Sequence, residues 1–175
     1  MMQINKDKVL IGVISDTHLP SRGSEIPQQI IKDFKDQNVD YIFHLGDFTT
    51  LDTYNSLIEN FDKDNIFAIS GNMDNHEINQ KLPKQQKLNI LGHKIFLTHG
   101  SGGPRRIIER LNKNLDLNKY DIILFGHTHH PVNEEREGKL YLNPGSPTDK
   151  RFTDVNSYAF LEITKNKVNS EIKYL

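Results

Sequence analysis

The chain has 175 residues, of which 35% are hydrophobic and 26% are charged, and its net charge is −1 at pH 7. This length suits a sizeable core, and we expect residues 1–175 to form a single domain. The small net charge excludes a long-range field that would recruit nucleic acid or an anionic membrane, so neither is an expected partner. The chain has no cysteine, which excludes disulfides and thiolate zinc sites and leaves histidine, carboxylate, carbonyl and water as metal ligands.

The beginning of the chain, from Met1 to Lys8, is polar and charged, and no apolar signal core follows it. No apolar run approaches the ~20 residues that are needed to span a bilayer. We therefore expect a cytoplasmic protein.

The first half of the chain alternates apolar strands with amphipathic helices. The run at 9–14 is continuous and β-branched, which is typical of a strand that is buried on both faces. Repetition of strand, polar loop and helix favours a parallel sheet built from βαβ units. The predicted strands are 9–14, 41–45 and 66–69, and the predicted helices begin at Pro27 and span 51–61.

The second half of the chain is richer in strands. A hairpin is predicted where Gly92-His93 joins two apolar runs, and a helix is predicted from Pro104 to about Leu115, with Ser101 or Gly103 at its cap. The fold class is therefore α/β, with two sheets packed together and helices outside. The predicted strands are 87–91, 94–98, 122–125, 132–136, 139–142, 158–163 and 168–174.

Potential metal ligands follow five of the predicted strands. Their lead residues recur at intervals of 25 to 31 positions, close to the length of one strand-and-return unit. Because parallel strands deliver their carboxyl ends to one edge of a sheet, these side chains are expected to converge. They are Asp16 and His18, Asp47, Asn72 and Asp74, His99, and His127 and His129.

Two aspartates, one asparagine and four histidines are too many ligands for one tetrahedral ion. Two divalent ions ~3.5–4 Å apart that share a bridging carboxylate account for them better. Oxygen and imidazole donors without sulfur suit Mn²⁺, Ni²⁺, Zn²⁺ or Fe, and Mg²⁺ less well, and we take Mn²⁺ as the first candidate. A single-metal structural or storage site is the alternative, and the ligand count argues against it.

The order of these motifs resembles the calcineurin-like metallophosphoesterase superfamily, over the chain from Ile11 to about Pro147. Two further stretches resemble its small YfcE-like phosphodiesterase branch, Gly71-Asn72-Met73-Asp74 and Asn143-Pro144-Gly145-Ser146. The resemblance implies a two-sheet β-sandwich flanked by helices, in four layers αββα. The superfamily motifs are Asp16-Thr17-His18, Gly46-Asp47, Gly71-Asn72, His99-Gly100 and Gly126-His127-Thr128-His129.

The resemblance also implies the role of each ligand. One metal would be held by Asp16, His18 and His129, the other by Asn72, His99 and His127, and Asp47 would bridge them. Asp47, Asn72 and His99 are accordingly the predicted catalytic residues. Metal binding lowers the pKa of water toward ~7, so a hydroxide that bridges the two ions could attack a phosphoester in line. The expected substrate is a small-molecule or nucleotide-like phosphoester, more specifically a diester.

The chain departs from the superfamily pattern at two positions. Met73 stands where many members have a histidine that contacts the phosphate, and methionine cannot transfer a proton. This departure suggests a preference for esters with good leaving groups, or a metal-bound water as the acid. Ser101 stands where relatives often have a further histidine, which leaves the substrate contacts of that loop open.

Three neighbouring residues have two interpretations each. Asp74 could orient a ligand such as His99, or a water, from behind, or could simply form a turn. Ser101 and Arg105 could contact a phosphate at a helix start, although a helix entry alone would explain the glycines between them.

A different class of function also remains open. The same fold resembles a retromer subunit that serves as a protein-binding scaffold after its metal site degraded. Competent side chains at every ligand position argue against a scaffold here. The last predicted strand, 168–174, could form an exposed edge, so a dimer is one option for the oligomeric state.

Overall fold

A computed structural model describes residues 6–175, so the prediction for Met1–Asn5 lies outside the described residues. In this part of the chain the strands are β1 (Lys8–Ile14), β2 (Tyr41–His44), β3 (Ile66–Ala68), β4 (Gln85–Ile90), β5 (His93–Thr98), β6 (Ile122–Phe125), β7 (Val132–Arg136), β8 (Lys139–Asn143), β9 (Ser157–Thr164) and β10 (Val168–Tyr174). The helices are α1 (Gln28–Asp36), α2 (Leu51–Asn60), α3 (His76–Lys81) and α4 (Ile107–Asn114), and a 3-10 turn covers Lys63–Asn65.

The strands form two sheets of five strands each. The first has the order β10-β9-β1-β2-β3, and the second has the order β4-β5-β6-β8-β7. β1, β2 and β3 are parallel to one another, which confirms the βαβ prediction, and β5, β6 and β8 are parallel in the second sheet. Each sheet therefore presents several strand carboxyl ends at one edge.

Three apolar layers hold the two sheets and the helices together. The central layer packs side chains of both sheets against each other, such as Ile11 and Phe43 against Leu97 and Leu124. Helices α1 and α2 cover the outer face of the first sheet, where Phe34 is fully buried. Helix α4 covers the outer face of the second sheet. The predicted four-layer αββα sandwich is thus confirmed.

The start of α4 differs from its prediction. The helix begins at Ile107 rather than Pro104, and the residue before it, Arg106, has a left-handed backbone with φ of 58°. The guanidinium of Arg110 donates to the carbonyls of Ser101, Gly103 and Arg105, which folds this stretch into a separate loop. Neither Ser101 nor Gly103 caps the helix.

Helix α3 is an element that the sequence pattern did not predict. It has six residues, and Ile78 is its buried residue, so it has too few apolar positions for a helical period. Its start is set by Asn75, whose side chain accepts from the N–H of Ile78. No helix within residues 6–175 has the length and hydropathy of a membrane span.

Candidate metal centre

The loops that follow the parallel strands meet where the two sheets adjoin. The N–H of Asp16, after β1, donates to the carbonyl of Gly46, after β2, at 2.9 Å. The N–H of His127, after β6, donates to Oδ2 of Asp16 at 3.0 Å. The carbonyl of His99, after β5, accepts from the N–H of Gly126 at 3.1 Å. The predicted convergence of these loops is therefore present.

One buried group of ligand atoms comes from Asp16, His18 and His129. Its three ligand atoms lie within 4.8 Å of one another. Nε2 of His129 lies 3.4 Å from Oδ1 of Asp16, and Nε2 of His18 lies 3.2 Å from Nε2 of His129. These three residues are the ones predicted to share one metal ion.

A second buried group comes from Asp16, Asp47 and His99, again with ligand atoms within 4.8 Å of one another. Oδ2 of Asp47 lies 3.2 Å from Nε2 of His99 and 3.5 Å from Nε2 of His18. The same carboxylate oxygen thus faces one histidine of each group. This is the position that a bridging ligand requires.

Asn72 and His127 lie beside this second group, on its more exposed side. Nδ1 of His127 is 2.8 Å from Oδ1 of Asn72, and the rings of His127 and His99 are 5.2 Å apart between centroids. Oδ1 of Asp47 accepts from the N–H of Met73, next to Asn72, at 2.7 Å. All seven residues that were predicted as ligands therefore lie in one cluster.

Many of these residues have a left-handed backbone. A positive φ is uncommon outside glycine and costs free energy unless the surrounding structure enforces it. Such conformations concentrate at functional sites, and here they aim side chains from short loops at a common centre. The residues are Asp16 (φ 54°), His18 (φ 46°), Asp47 (φ 57°), His127 (φ 71°) and His129 (φ 60°).

Two glycines allow the loops to approach each other. A Cβ on Gly71 would lie 2.1 Å from Oδ1 of Asp47, and a Cβ on Gly126 would lie 2.1 Å from Oγ of Ser15. Both distances are far below van der Waals contact. Side chains at these positions would therefore displace the carboxylates or their neighbours.

Asp74 supports the cluster through the backbone. Its carboxylate accepts from the N–H groups of Asp47, Thr49 and Gly71, at 3.0, 2.7 and 2.7 Å. It ties the loop after β2 to the loop after β3. Asp74 does not orient His99, which was one of the alternatives for its role, because Nδ1 of His99 lies 2.7 Å from the carbonyl oxygen of Leu45.

Asp149 is a residue of the site that sequence reasoning missed. Its Oδ2 lies 2.5 Å from Nδ1 of His129, which directs Nε2 of that histidine at Asp16. A carboxylate in this position fixes the tautomer and the ring orientation of a ligating histidine. Asp149 follows β8, which is parallel to β6. This parallel pairing brings the loop after β8 to the same end of the sheet as His127 and His129, and it is the signal from which Asp149 could be predicted.

The Ser101 loop borders the site on the side of His127. Burial lowers the pKa of His127, and the backbone of Gly102 opposes this as a smaller effect. Ser101 and Arg105 are exposed, and within residues 6–175 no hydrogen bond or ion pair joins either side chain to the ligand cluster. Their predicted contact with phosphate stays a prediction.

Charge is distributed unevenly over the cluster. Burial raises the pKa of Asp47, but His99, the N–H of Met73 and His18 outweigh it and hold the pKa at about 2. Burial lowers the pKa of His99, but the carboxylates of Asp16 and Asp47 outweigh it and raise the pKa to about 9. For His18, burial is the larger effect and lowers the pKa. The buried centre thus attracts positive charge.

The donor set fits divalent metal ions. Nδ1 of His99 is taken by the Leu45 carbonyl, while its Nε2 is buried and has no hydrogen-bond partner in the described part of the chain. A buried polar atom without a partner is rare in proteins and calls for an explanation, such as an ion. Carboxylate and imidazole donors that converge without sulfur are suited to Mn²⁺, Zn²⁺, Ni²⁺ or Fe.

Comparisons with known proteins agree with this geometry. The chain is 39% identical over 165 residues to a probable metallophosphoesterase of Methanothermobacter thermautotrophicus, and the match covers 94% of this chain and 91% of that one. The solved structure of an archaeal phosphodiesterase superimposes with a TM-score of 0.70 at 29% identity, over 94% of this chain and 100% of the other. Vps29 of Entamoeba histolytica, solved in complex with Zn²⁺, superimposes with a TM-score of 0.74 at 26% identity, over 95% and 98% of the two chains.

Residues 9–166 match the domain that defines the calcineurin-like phosphoesterase superfamily. The matched segment contains all seven predicted ligands together with Asp149. The chain therefore belongs to the calcineurin-like phosphoesterase superfamily.

Proposed function

We propose that this protein hydrolyses phosphodiesters with a dinuclear metal centre. Asp16, His18 and His129 would hold one divalent ion, and Asn72, His99 and His127 would hold the other. Asp47 would bridge the two. Mn²⁺ is the first candidate, and Ni²⁺, Zn²⁺, Fe and Mg²⁺ are the alternatives.

The observation that carries the proposal is the position of Asp47. Its Oδ2 faces both His18 and His99, at 3.5 and 3.2 Å, and its Oδ1 is held by the N–H of Met73. A carboxylate fixed between two histidine groups can neutralise two cations at once. Single-ion sites do not need a second buried ligand group.

Two bound divalent ions supply a hydroxide nucleophile at neutral pH and neutralise the charge on the phosphate oxygens. The protein's own residues hold this arrangement rigid. Asp149 and the Leu45 carbonyl orient His129 and His99, so their Nε2 lone pairs face the centre. Asp74 holds the Asp47 backbone in place.

Met73 restricts the leaving groups that the site can serve. This side chain is 59% exposed beside Asn72 and cannot donate a proton to a leaving group. Substrates whose leaving group departs without a proton from this position are therefore favoured. The preference for diesters rests on the likeness to an archaeal phosphodiesterase.

The second candidate function is a non-catalytic protein-binding scaffold. The likeness to Vps29, with a TM-score of 0.74, favours it. A scaffold would not require buried, oriented ligands at every position. Turnover distinguishes the two functions, because Vps29 of Entamoeba histolytica also holds Zn²⁺.

The test compares bis-p-nitrophenyl phosphate with p-nitrophenyl phosphate. Metal-stripped protein receives Mn²⁺, Ni²⁺, Zn²⁺ or Mg²⁺ singly, and Asp47→Asn is assayed beside the wild type. Metal-dependent turnover of the diester that Asp47→Asn loses supports the proposal. Protein that binds no metal and turns over neither ester would favour the scaffold.

A further inference from the structure

An exposed aromatic ring lies at the rim of the metal centre. Phe152 is 53% exposed, yet its ring meets the ring of His129 edge to face, with centroids 5.4 Å apart and an angle of 82° between the planes. Because His129 belongs to the ligand cluster, whatever occupies the metal centre comes close to Phe152. The exposed part of the Phe152 ring lies beside the ligand cluster and is available to a bound ligand.

Two arginines flank this ring. Cζ of Arg22 lies 5.6 Å from the centroid of Phe152, and Cζ of Arg151 lies 5.1 Å from it. Both distances are within the range of cation–π contacts. Guanidinium groups stack on planar rings and pair with phosphate oxygens. The three side chains, Phe152, Arg22 and Arg151, are called the aromatic rim below.

The aromatic rim is held in place by the same carboxylate that orients a metal ligand. Asp149 accepts from the N–H groups of Arg151 and Phe152, at 2.9 and 3.0 Å, and lies 3.6 Å from Nε of Arg22. The side chain of Asn156 closes the loop by donating to the carbonyl of Asp149 at 2.6 Å. The position of the ring is thus coupled to that of His129, and the loop is organised before any ligand binds.

We propose that the aromatic rim is the subsite for a planar ring of the phosphodiester, namely a nucleobase or an aryl group. The inference rests on the proposed function, because the phosphate must first be anchored at the metal centre. Stacking on Phe152 would accept different bases, since every base has a flat apolar face. The arginines would extend that surface and attract the negative charge of a nucleotide.

The first experiment measures the contribution of the base. Adenosine 5′-monophosphate and ribose 5-phosphate share a phosphate and a sugar and differ by the base. With Zn²⁺-loaded wild-type protein, calorimetry is expected to show about tenfold tighter binding of the nucleotide, the effect of one stacked base. Phe152→Ala is expected to abolish this difference, and Phe152→Tyr to restore it.

A second readout reports contact between the base and the aromatic rim directly. The chain contains no tryptophan, so Phe152→Trp places a single indole in the aromatic rim. Adenosine 5′-monophosphate is expected to quench its fluorescence, and ribose 5-phosphate is not. Tyr41→Trp is the matched control. Tyr41 is the first residue of β2, at the end of the strand that points away from the metal centre, so the indole of this variant is expected not to respond.

The outcomes separate this inference from the proposed function. Equal affinity for the two probes and an unchanged indole signal at position 152 would overturn the subsite, even if the wild type hydrolyses bis-p-nitrophenyl phosphate. A base-dependent response without hydrolysis of any diester would support the subsite and contradict the phosphodiesterase function.

Discussion

Nε2 of His99 lies 3.2 Å from Oδ2 of Asp47, and both atoms are buried. The contact lacks hydrogen-bond geometry, and among residues 6–175 Nε2 has no hydrogen-bond partner. Both residues are held from behind, His99 by the carbonyl of Leu45 and Asp47 by the N–H of Met73. Because the pKa of His99 is raised to about 9, Nε2 carries a proton at neutral pH in the metal-free chain, and a metal ion bound here would displace that proton.

The charge of His99 predicts how the stability of the metal-free protein depends on pH. The pKa is about 9 in the folded chain against an ordinary value of 6.5. This contribution to stability is therefore fully present below pH 6.5 and is lost as the pH rises through 9. The loss is expected to be on the order of 2–3 kcal/mol. Urea denaturation of chelator-treated protein between pH 6 and about 9.5 measures it.

The control for this dependence is a pair of variants. His99→Gln is expected to remove the decrease, whereas His76→Gln, at an exposed histidine on α3, is expected to leave it unchanged. An equal decrease in wild type and His99→Gln would show that another group is responsible.

Asp149 is expected to determine metal affinity without touching the metal. Asp149→Asn removes the charged acceptor at Nδ1 of His129, so the tautomer that directs Nε2 at the centre is no longer enforced. We expect metal affinity to fall about 10- to 100-fold, as is usual for such partners of ligating histidines. Competition with a chromophoric chelator gives the dissociation constants. The control is Asp154→Asn, an exposed aspartate of the same loop, and equal affinities in the two variants would contradict the role of Asp149.

Gly71 is expected to tolerate no side chain. In Gly71→Ala the new Cβ would lie 2.1 Å from Oδ1 of Asp47, so the bridging carboxylate must move. We expect loss of metal binding and destabilisation by about 1–3 kcal/mol, the usual cost of overpacking. Gly103→Ala is a matched control, because a Cβ there meets nothing within 4 Å. Metal content and thermal unfolding of both variants test the prediction, which fails if Gly71→Ala retains its metal.

Much of the candidate site could be predicted because it depends on strand ends. Each apolar run is short and ends in a polar loop, and β1, β2 and β3 are parallel, so spacing along the chain translates into proximity. Asp16 and Asp47, 31 positions apart in sequence, meet for this reason. His99 follows β5 and joins them from the second sheet. The two packed sheets with helices outside followed from the alternation of strands and helices, and the four layers followed from the resemblance to the superfamily.

Other features depend on contacts that spacing does not reveal. Asp149 reaches His129 because β8 returns parallel to β6, whereas the sequence shows only a hairpin. Pro104 has the preference of a first helical residue, yet the left-handed backbone of Arg106 delays α4 to Ile107. That delay arises from contacts of the Arg110 side chain with the preceding loop, which no local pattern encodes.

The measurement that tests the central claim most directly is a titration of activity with metal. Hydrolysis of bis-p-nitrophenyl phosphate by metal-stripped protein is followed as Mn²⁺ is added in fractions of an equivalent. We predict that the rate rises until two ions are bound per chain and then levels off, because two ligand groups share Asp47. A rate that reaches its plateau at one ion per chain would contradict the dinuclear centre, and binding of two ions without turnover of any diester would contradict the proposed reaction.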